Sequence, residues 1–146
     1  MDIRQSLPDE QRAVRSLLAV AALPVDDLDE ADVHFIVAVD NGVPVGAVGL
    51  EPFGSVGLLR SLVVHPSLRG TGIGHRLVEA LETHARRLGF GQLALLTQTA
   101  EAFFAVRGYA VIGRDEVPRA LQSSAEFRSL CPPSATCMTT HLDCSA

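Results

Sequence analysis

Residues 58–88 place the strongest constraint on how this chain can fold. They begin with an apolar run that predicts a buried strand, and they end with an amphipathic pattern that predicts a helix of about four turns. Between the two lies a glycine-rich turn, Arg69-Gly70-Thr71-Gly72-Ile73-Gly74. The backbone N–H groups of such a turn and of the first helical turn have no partners within the helix, and the helix dipole adds positive potential there. Because glycine lets a ligand approach the main chain, the segment predicts a site for an anion such as a phosphate.

The spacing of the glycines indicates which kind of phosphate site this is. A dinucleotide-binding turn needs G-x-G-x-x-G and a P-loop needs G-x-x-x-x-G-K-[ST], and neither pattern is present. The sequence instead reads R-x-x-G-x-G from Arg69 to Gly74, after a strand of the form L-x-V-x-P that ends at Pro66. This combination resembles the acyl-CoA-binding motif of the GNAT acetyltransferases, and the order of elements along nearly the whole chain is similar to that family as well. The alternative is a glycine-rich loop that does no more than end the strand.

The resemblance implies a fold and a co-substrate. The fold is α/β, of the mixed-sheet α+β type, with helices on both faces, the order β-α-β-β-β-α-β-α-β and an uncertain C-terminal strand, in one domain over residues 1–146. The co-substrate is acetyl-CoA. In that fold two parallel strands diverge, and the freed backbone groups bind the pantetheine arm, while a main-chain N–H near Val63 or Val64 polarises the thioester carbonyl. The residues implied in acetyl-CoA binding are Leu62, Val63, Val64, Arg69, Gly70, Thr71, Gly72, Ile73, Gly74 and His75.

Hydrophobic periodicity and turn residues predict the other elements. The predicted strands are residues 2–5, 34–40, 43–50, 57–65, 92–97, 109–113 and, less definitely, 136–142. The predicted helices are residues 6–23 with Ser6 as the N-cap, residues 72–88, residues 100–107, and one within residues 117–127. Asn41-Gly42 is typical of a hairpin turn. The strand at 92–97 follows a helical crossover, so it is expected to run parallel to the strand at 58–64.

Charge and hydropathy exclude several classes of partner. The net charge is −5 with no clustered basic face, so nucleic acid is not an expected partner. Hydrophobic residues make up 47% of the chain, which is enough for a packed core. No apolar run approaches the ~20 residues of a membrane span, so no membrane association is expected. No signal-peptide pattern begins the sequence, and a cytoplasmic location is therefore expected.

The reaction implied by the resemblance is aminolysis of a thioester, in which the incoming ammonium must first lose a proton. Glu51 is the candidate base, because it lies at the end of the strand beside the one implied in acetyl-CoA binding. The alternative is an exposed charge at a strand end. Family members often have a tyrosine that acts as the general acid at the position where this chain has Phe104, so the usual proton donor is missing. Tyr109 is a weaker candidate. Water is the other alternative, because a thiol with an ordinary pKa of roughly 8.5 leaves readily.

Arg60 is a charged residue within the otherwise apolar strand predicted at 57–65. With the two-residue alternation of a strand, it is predicted to share a face with Leu58 and Leu62. A buried guanidinium needs a partner. Two partners remain open: a substrate carboxylate bound through two hydrogen bonds, or an internal ion pair with Glu51 or another acid.

A second resemblance concerns the acceptor. Residues 95–104 and the segment Ser124-Ala125-Glu126-Phe127-Arg128-Ser129-Leu130-Cys131-Pro132 resemble the amino-acid N-acetyltransferase branch, closest to the arsenic-resistance N-acetyltransferases that modify glutamate-like amino acids. This implies a small-molecule amine as the acceptor, with Arg60, Thr97, Thr99 and Arg128 as substrate-binding residues. The alternative for the two threonines is a role in the turn, and Thr99 is well placed to cap the short helix.

The cysteines and the acidic segment keep other functions open. Cys131, Cys137 and Cys144 are odd in number and form no C-x-x-C pair, so neither a disulfide framework nor a metal site is predicted. Cys131 and Cys137 either bind trivalent arsenic as soft ligands or are small buried hydrophobic residues. A non-catalytic acetyl-CoA-binding or arsenic-sensing module is thus one alternative. The acidic residues 26–32 suggest another, a protein or peptide amine as acceptor, and a homodimer paired through the C-terminal strand is a further expectation.

Overall fold

A seven-stranded mixed sheet forms the centre of the fold in the computed structural model, which describes residues 1–130 and 134–142. The strands are β1 (Asp2–Gln5), β2 (His34–Asp40), β3 (Val43–Phe53), β4 (Val56–Val64), β5 (Gln92–Thr97), β6 (Ala110–Val111) and β7 (Thr136–His141). The helices are α1 (Gln11–Val20), α2 (Ile73–Arg87), α3 (Glu101–Val106) and α4 (Arg119–Gln122), with a π-helical segment at Glu126–Leu130. Within the described residues, no helix has both the length and the apolar character needed to cross a bilayer.

The strand order is β1-β2-β3-β4-β5-β7-β6, and β4 and β5 form the parallel pair. The predicted order of elements is confirmed, and the uncertain C-terminal strand forms β7, between β5 and β6. Three of the predicted strands have the bounds that the pattern gave, namely β1, β2 and β5. The predicted strand at 109–113 is shorter, because its register with β7 covers Ala110–Val111.

Helices cover both faces of the sheet, as predicted. On one face Leu77 and Leu81 of α2 pack with Leu50 and Leu59 of the sheet. On the other face Val14 and Leu18 of α1 pack against strand residues that include Phe35, Val37 and Val63. The segment around α4 packs beside them in a third cluster, whose buried members include Val56, Leu58, Ala94, Val117 and Leu121. The apolar periodicity of α1 and α2 therefore decides which side of each helix meets the sheet.

Ser6 does not cap α1, and that prediction is wrong. A 3-10 turn at Pro8–Glu10 precedes the helix, and the Glu10 carboxylate accepts a hydrogen bond of 2.7 Å from the backbone N–H of Leu7. The same carboxylate binds Arg4 through two hydrogen bonds of 2.8 Å. A charge-assisted pair thus replaces the hydroxyl that the sequence pattern favoured.

A β-bulge in β4 changes the side-chain alternation along this strand. Ala47 pairs with Val63 but Gly49 pairs with Arg60, so Ser61 and Leu62 together face one residue of β3. Ser61 has a φ of 61°. After the bulge, Leu62 packs into the core beneath α2, whereas Leu58 lies in the cluster on the opposite face. The prediction that Arg60 shares a face with both Leu58 and Leu62 is wrong for Leu62, because an extra residue reverses the alternation.

Candidate active site

A cleft opens in the sheet where β4 and β5 diverge. Their parallel pairing covers Val56–Leu58 and ends at the pair Leu58 with Ala94. Beyond it, β4 stays bound to β3, and β5 stays bound to β7 as far as Thr97. The resulting cleft has a volume of about 400 Å³. It is lined by Ala21, Ala22, Leu23, Pro24, Leu59, Arg60, Ser61, Leu62, Leu95, Leu96, Thr97, Gln98, Thr99, Ala100, Phe104, Glu126 and Ala135.

The strand β4 leads from this cleft to the glycine-rich turn. Leu62 lines the cleft, and Val63 and Val64 line a neighbouring groove beneath α1. The chain then enters the turn at Arg69, whose Nε donates a hydrogen bond of 3.4 Å to the carbonyl of Val64. The residues that the sequence assigned to the acyl carrier are therefore continuous in space with the cleft.

The turn presents a row of backbone N–H groups at the start of α2. Gly72 is the N-cap, and the first bond of the helix runs from the N–H of Arg76 to the carbonyl of Gly72 at 3.2 Å. Because this is the first bond of the helix, the N–H groups of residues 73–75 have no partner within α2. These donors and the helix dipole together favour an anion.

Glycine is required in this turn by backbone conformation. Gly70 and Gly72 have φ values of 80° and 87°, in the left-handed region that side chains disfavour, yet a Cβ at either would meet nothing within 4 Å. A Cβ at Gly74 would lie 3.5 Å from the ring of Phe103, which is an ordinary contact. These contacts are with the protein alone, so the prediction that the glycines let an anion approach the main chain stays a prediction. Two of them hold the turn open by their φ angles.

Positive and aromatic side chains surround the turn. Arg69, His75 and Arg76 are exposed, and the His75 ring stacks on Phe103 with 4.3 Å between centroids. Nη1 of Arg107 lies 3.4 Å from Nδ1 of His75. The surface at the start of α2 therefore favours a negatively charged ligand.

Arg60 is buried on the opposite side of the cleft, where three carboxylates surround its guanidinium. Its Nη1 and Nη2 donate to the two oxygens of Asp27 at 2.6 and 2.8 Å. Nη1 also donates to Glu51 at 3.1 Å, and Nε lies 3.2 Å from Oε2 of Glu126. The whole residue is 2% exposed. Of the two partners that the sequence left open for Arg60, the structure contains the internal ion pair.

The cluster of Arg60, Asp27, Glu51 and Glu126, which we call the acid cluster, carries an excess of negative charge. One guanidinium and three ionised carboxylates sum to a formal charge of −2. The hydrogen bond from Arg60 lowers the pKa of Asp27, whereas burial raises the pKa of Glu51 despite the same guanidinium. Burial opposes the charge of Arg60, but its carboxylate partners more than offset this and raise its pKa. The arginine therefore stays charged, and the first proton taken up by Asp27 or Glu51 goes to Glu51.

Glu51 lies behind the guanidinium. It is 8% exposed and is not among the residues that line the cleft. The alternative of an exposed charge at a strand end is wrong, because β3 continues to Phe53 and Glu51 is buried within it. The structure therefore separates this candidate base from the space in which an acceptor would lie.

The other substrate-binding candidates fall in different places. Thr97 lines the cleft, and its Oγ1 accepts a hydrogen bond of 3.0 Å from the N–H of Ala100. Thr99 also lines the cleft but is exposed and does not cap α3, whose N-cap is Ala100, so that prediction is wrong. Arg128 is exposed on the π-helical segment and does not line the cleft. The two threonines are thus brought together at the cleft and Arg128 is not.

The two aromatic candidates for the proton donor are also separated. Phe104 lines the cleft, at the position where the resemblance implies a tyrosine. Tyr109 is buried, its hydroxyl donates to Glu82 of α2 at 2.8 Å, and it does not line the cleft. Burial raises the pKa of Tyr109, and Glu82 raises it further. Tyr109 is not placed to protonate a group in the cleft.

Two residues of the C-terminal segment bear on the site, and the burial of one of them, Cys137, was among the alternatives that the sequence left open. Glu126 is 3% exposed and lines the cleft, although the pattern gave it no role. The sequence gives one sign of such a role, which is that an acidic residue lies between Ala125 and Phe127 in a segment that otherwise packs over the sheet. Cys137 is buried, and burial raises the pKa of its thiol to about 11. Cys131 and Cys144 lie outside the described residues.

Comparison of the sequence with known proteins gives a family and several relatives. The profile of the acetyltransferase (GNAT) family matches residues 2–110. An amino-acid acetyltransferase of Ralstonia nicotianae is 35% identical over 87 residues, which cover 58% of this chain and 19% of that protein. An IAA acetyltransferase of Azospirillum brasilense is 35% identical over 82 residues, covering 55% of this chain and 54% of that protein. The matches thus span from about a fifth to about half of the length of these curated relatives.

Solved structures confirm the fold class. The N-acetylglutamate synthase of Neisseria gonorrhoeae, complexed with coenzyme A and N-acetyl-glutamate, superposes with a TM-score of 0.82 at 21% identity over 97% of this chain and 35% of that chain. A protein from Mycobacterium tuberculosis, in complex with CoA and NLQ, has a TM-score of 0.82 at 27% identity over 97% of this chain and 99% of that chain. The divergent parallel pair and the helix that follows it therefore belong to a fold that other proteins share.

Proposed function

The chain belongs to the acetyltransferase (GNAT) family, and we propose that it transfers an acetyl group from acetyl-CoA to the amine of a small amino acid. The observation that carries this proposal is the gap between β4 and β5, which continues along β4 to the row of free N–H groups at the start of α2. A long carrier with a diphosphate at one end and a thioester at the other matches these two features.

The carrier is assigned to the groups that the gap exposes. The N–H groups of residues 70–75 receive the diphosphate, and the main chain of Leu62, Val63 and Val64 receives the pantetheine amides. The CoA bound to the Mycobacterium tuberculosis protein, which matches over nearly all of its length, supports this assignment. A main-chain N–H near Val63 or Val64 is then available to polarise the thioester carbonyl.

The acceptor is assigned to the cleft on the side of the acid cluster. Residues 21–24, after α1, form one lip, and Thr97 and Thr99 at the end of β5 form the other. A cleft of about 400 Å³ that also receives the end of the carrier leaves room for a small acceptor. The threonine hydroxyls are suited to a substrate carboxylate, because the Arg60 guanidinium is already paired with three acids. The amino-acid acetyltransferases among the relatives support an amino acid as the acceptor.

We extend the proposal to glutamate-like amino acids, including arsenic-containing analogues. The support is the resemblance of residues 124–132 to the arsenic-resistance branch. Cys131 and Cys144 are not needed for this proposal, since the analogue is treated as an acceptor amine. A peptide acceptor is less well supported, because Asp27 of the acidic segment is bound inside the acid cluster. A homodimer and a cytoplasmic location stay predictions from the sequence.

The reaction follows from the chemistry of the two partners. The acceptor ammonium loses a proton, and its nitrogen attacks the thioester carbonyl. The C–S bond then breaks, and the electron pair leaves on sulfur. Because a thiolate is a good leaving group and Phe104 cannot donate a proton, water protonates the CoA thiolate in this proposal.

The test is an acceptor screen that follows release of free CoA thiol. The panel contains L-glutamate, L-aspartate, L-glutamine, the phosphinic and arsinic analogues of glutamate, and a short peptide with a free amine. Thiol release with one or more amino acids above the rate without acceptor supports the proposal, and release with the peptide alone redirects it to a peptide acceptor. Background rates throughout, with acetyl-CoA binding intact by calorimetry, would show a non-catalytic binding protein. No binding of acetyl-CoA at all would refute the proposal.

A further inference from the structure

The acid cluster reaches the cleft through Glu126. Arg60 and Glu126 both line the cleft, whereas Asp27 and Glu51 do not. The Glu126 side chain is 4% exposed, and its Oε2 lies 3.2 Å from Nε of Arg60. This carboxylate is therefore held beside a positive partner and also lines the cleft.

The rest of the acid cluster fixes the position of Arg60. Asp27 comes from the segment between α1 and β2 and binds the guanidinium through two hydrogen bonds. Glu51 comes from β3 and accepts a third. Nε also donates to Oγ of Ser61, at the bulge of β4, at 3.2 Å. Every guanidinium nitrogen therefore has a partner, and the edge that carries Nε points toward Glu126.

The formal charge of −2 bears on what the cleft admits. Excess negative charge at a buried wall favours a cation in the adjoining space. An amino acid arrives with its amine protonated, so the charge of the wall matches the end of the acceptor that has to react. Thr97 and Thr99 on β5 can then hold the carboxylate end.

Resting on the proposed function, we propose that Glu126 binds the acceptor ammonium and takes its proton, with Arg60 as the residue that positions this carboxylate. The ammonium gives one proton to Glu126, and the amine nitrogen forms a bond to the thioester carbon. The C–S bond breaks with its electron pair on sulfur. The nitrogen then loses its second proton to solvent, and solvent protonates the thiolate. Glu126 finally returns its own proton to solvent.

The other two carboxylates fit this role less well. Asp27 is bound at both oxygens by Arg60, which lowers its pKa and makes it a weak base. Burial raises the pKa of Glu51, which is favourable for a base, but its carboxylate lies behind Arg60 and does not line the cleft. Access therefore decides in favour of Glu126.

The experiment compares Glu126→Gln and Glu126→Asp with the wild-type protein. The glutamine keeps an oxygen that faces Nε of Arg60, and the aspartate keeps a base on a shorter side chain. Glu79→Gln, on the exposed side of α2, is the matched control. The measurements are kcat/KM for L-glutamate, or for the panel member with the highest rate, as a function of pH, and the affinity for acetyl-CoA by calorimetry.

We expect Glu126→Gln to lower kcat/KM by about 100-fold or more and to abolish the acidic limb of the pH profile. Glu126→Asp should keep that limb at an intermediate rate, and acetyl-CoA affinity should change less than about twofold in both, because the carrier contacts lie elsewhere. Within residues 1–130 and 134–142, the charged and titratable groups that face Glu126 through Arg60 are Asp27 and Glu51. Asp27→Asn and Glu51→Gln should therefore each keep the limb if Glu126 is its source.

An acceptor that needs no base separates a catalytic role from a structural one. The aminooxy analogue of the same amino acid has an amine that is neutral at the assay pH. For this acceptor the effect of Glu126→Gln should shrink to less than about tenfold, whereas damage to the cleft would lower both rates equally. An equal loss with both acceptors, or a variant that keeps the wild-type rate and pH profile, would overturn the inference. If the variant unfolds, the shape of the Glu126→Asp profile decides instead. A wild-type protein that acetylates nothing would refute the proposed function, and this inference with it.

Discussion

Replacing Arg60 by methionine should destabilise the protein strongly, because it leaves three buried carboxylates without their cation. The Arg60 side chain is 0% exposed, and those of Asp27, Glu51 and Glu126 are 13%, 11% and 4% exposed. Methionine fills most of the volume of the arginine stem, so a cavity contributes little. Removing one partner of a buried ion pair costs about 3–5 kcal/mol. For a chain of this length that is a drop of about 9–15 °C in Tm.

The pH dependence of this loss gives the sharper test. In the wild-type protein Arg60 lowers the pKa of Asp27. The stabilisation from this pair is therefore fully present at pH values above the ordinary aspartate pKa, and it is lost as the pH falls through the lowered pKa. In the variant the carboxylates are buried without a cation, so their pKa values rise above those of the unfolded chain. The folded variant then takes up protons that the unfolded chain does not, and its free energy of unfolding increases as the pH falls. The gap between variant and wild type should therefore narrow from about pH 7 to about pH 5.

The measurement is urea unfolding followed by circular dichroism at both pH values. Arg15→Met is the matched control, since the 2.8 Å pair of Arg15 with Asp29 has side chains that are 40% and 79% exposed. An exposed pair of this kind contributes less than about 1 kcal/mol, with little change over this pH range. A loss in Arg60→Met no larger than in the control, or a gap that is the same at both pH values, would show that the acid cluster is not held together by its arginine.

Three further outcomes follow from the contacts described above. Acetyl-pantetheine, which lacks the diphosphate and nucleotide, should bind at least about tenfold more weakly than acetyl-CoA in calorimetry, and equal affinities would exclude the N–H groups at Gly72 and its neighbours as the anchor. Tyr109→Phe should leave turnover unchanged and lower the free energy of unfolding by about 1–3 kcal/mol, because Glu82 loses a buried donor. A large loss of turnover with unchanged stability would contradict the placement of the Tyr109 hydroxyl outside the cleft. Cys137 should resist iodoacetamide in the folded protein and react after unfolding in urea, as peptide mass spectrometry can show, because burial raises its pKa to about 11; rapid labelling of the native protein would contradict it.

The strand, turn and helix around Gly72 were predictable because their causes are local. The helix begins at Ile73, one residue after the predicted start, and Gly89 ends it with a φ of 89°. Positive φ at Gly72 and Gly89 needs glycine whatever the rest of the chain does. The hairpin at Asn41-Gly42 is a similar case, with φ values of 52° and 77°.

The partners of Arg60 were not predictable, because they come from distant parts of the chain. The sequence shows that a guanidinium in an apolar strand needs a partner, but it does not show which acid meets it. Asp27 lies 33 residues away, in the acidic segment 26–32, whose pattern does not indicate a buried ion pair. Glu126 belongs to a short π-helical segment, and its position depends on how the C-terminal part of the chain covers β4 and β5.

The bulge at Ser61 explains why the alternation of β4 failed as a guide, and it also joins the two halves of the proposed site. No glycine marks it, although its φ is 61°, and such a backbone costs about 1–2 kcal/mol for a residue with a side chain. Bulges bend a strand and increase its twist, and the last pair of β4 with β5 lies three residues earlier, at Leu58. On one side of the bulge Arg60 turns toward the acid cluster, and on the other Leu62 turns toward α2. One irregular residue therefore puts Arg60 and Leu62 on opposite faces of β4, whereas a regular alternation would put these two residues on the same face.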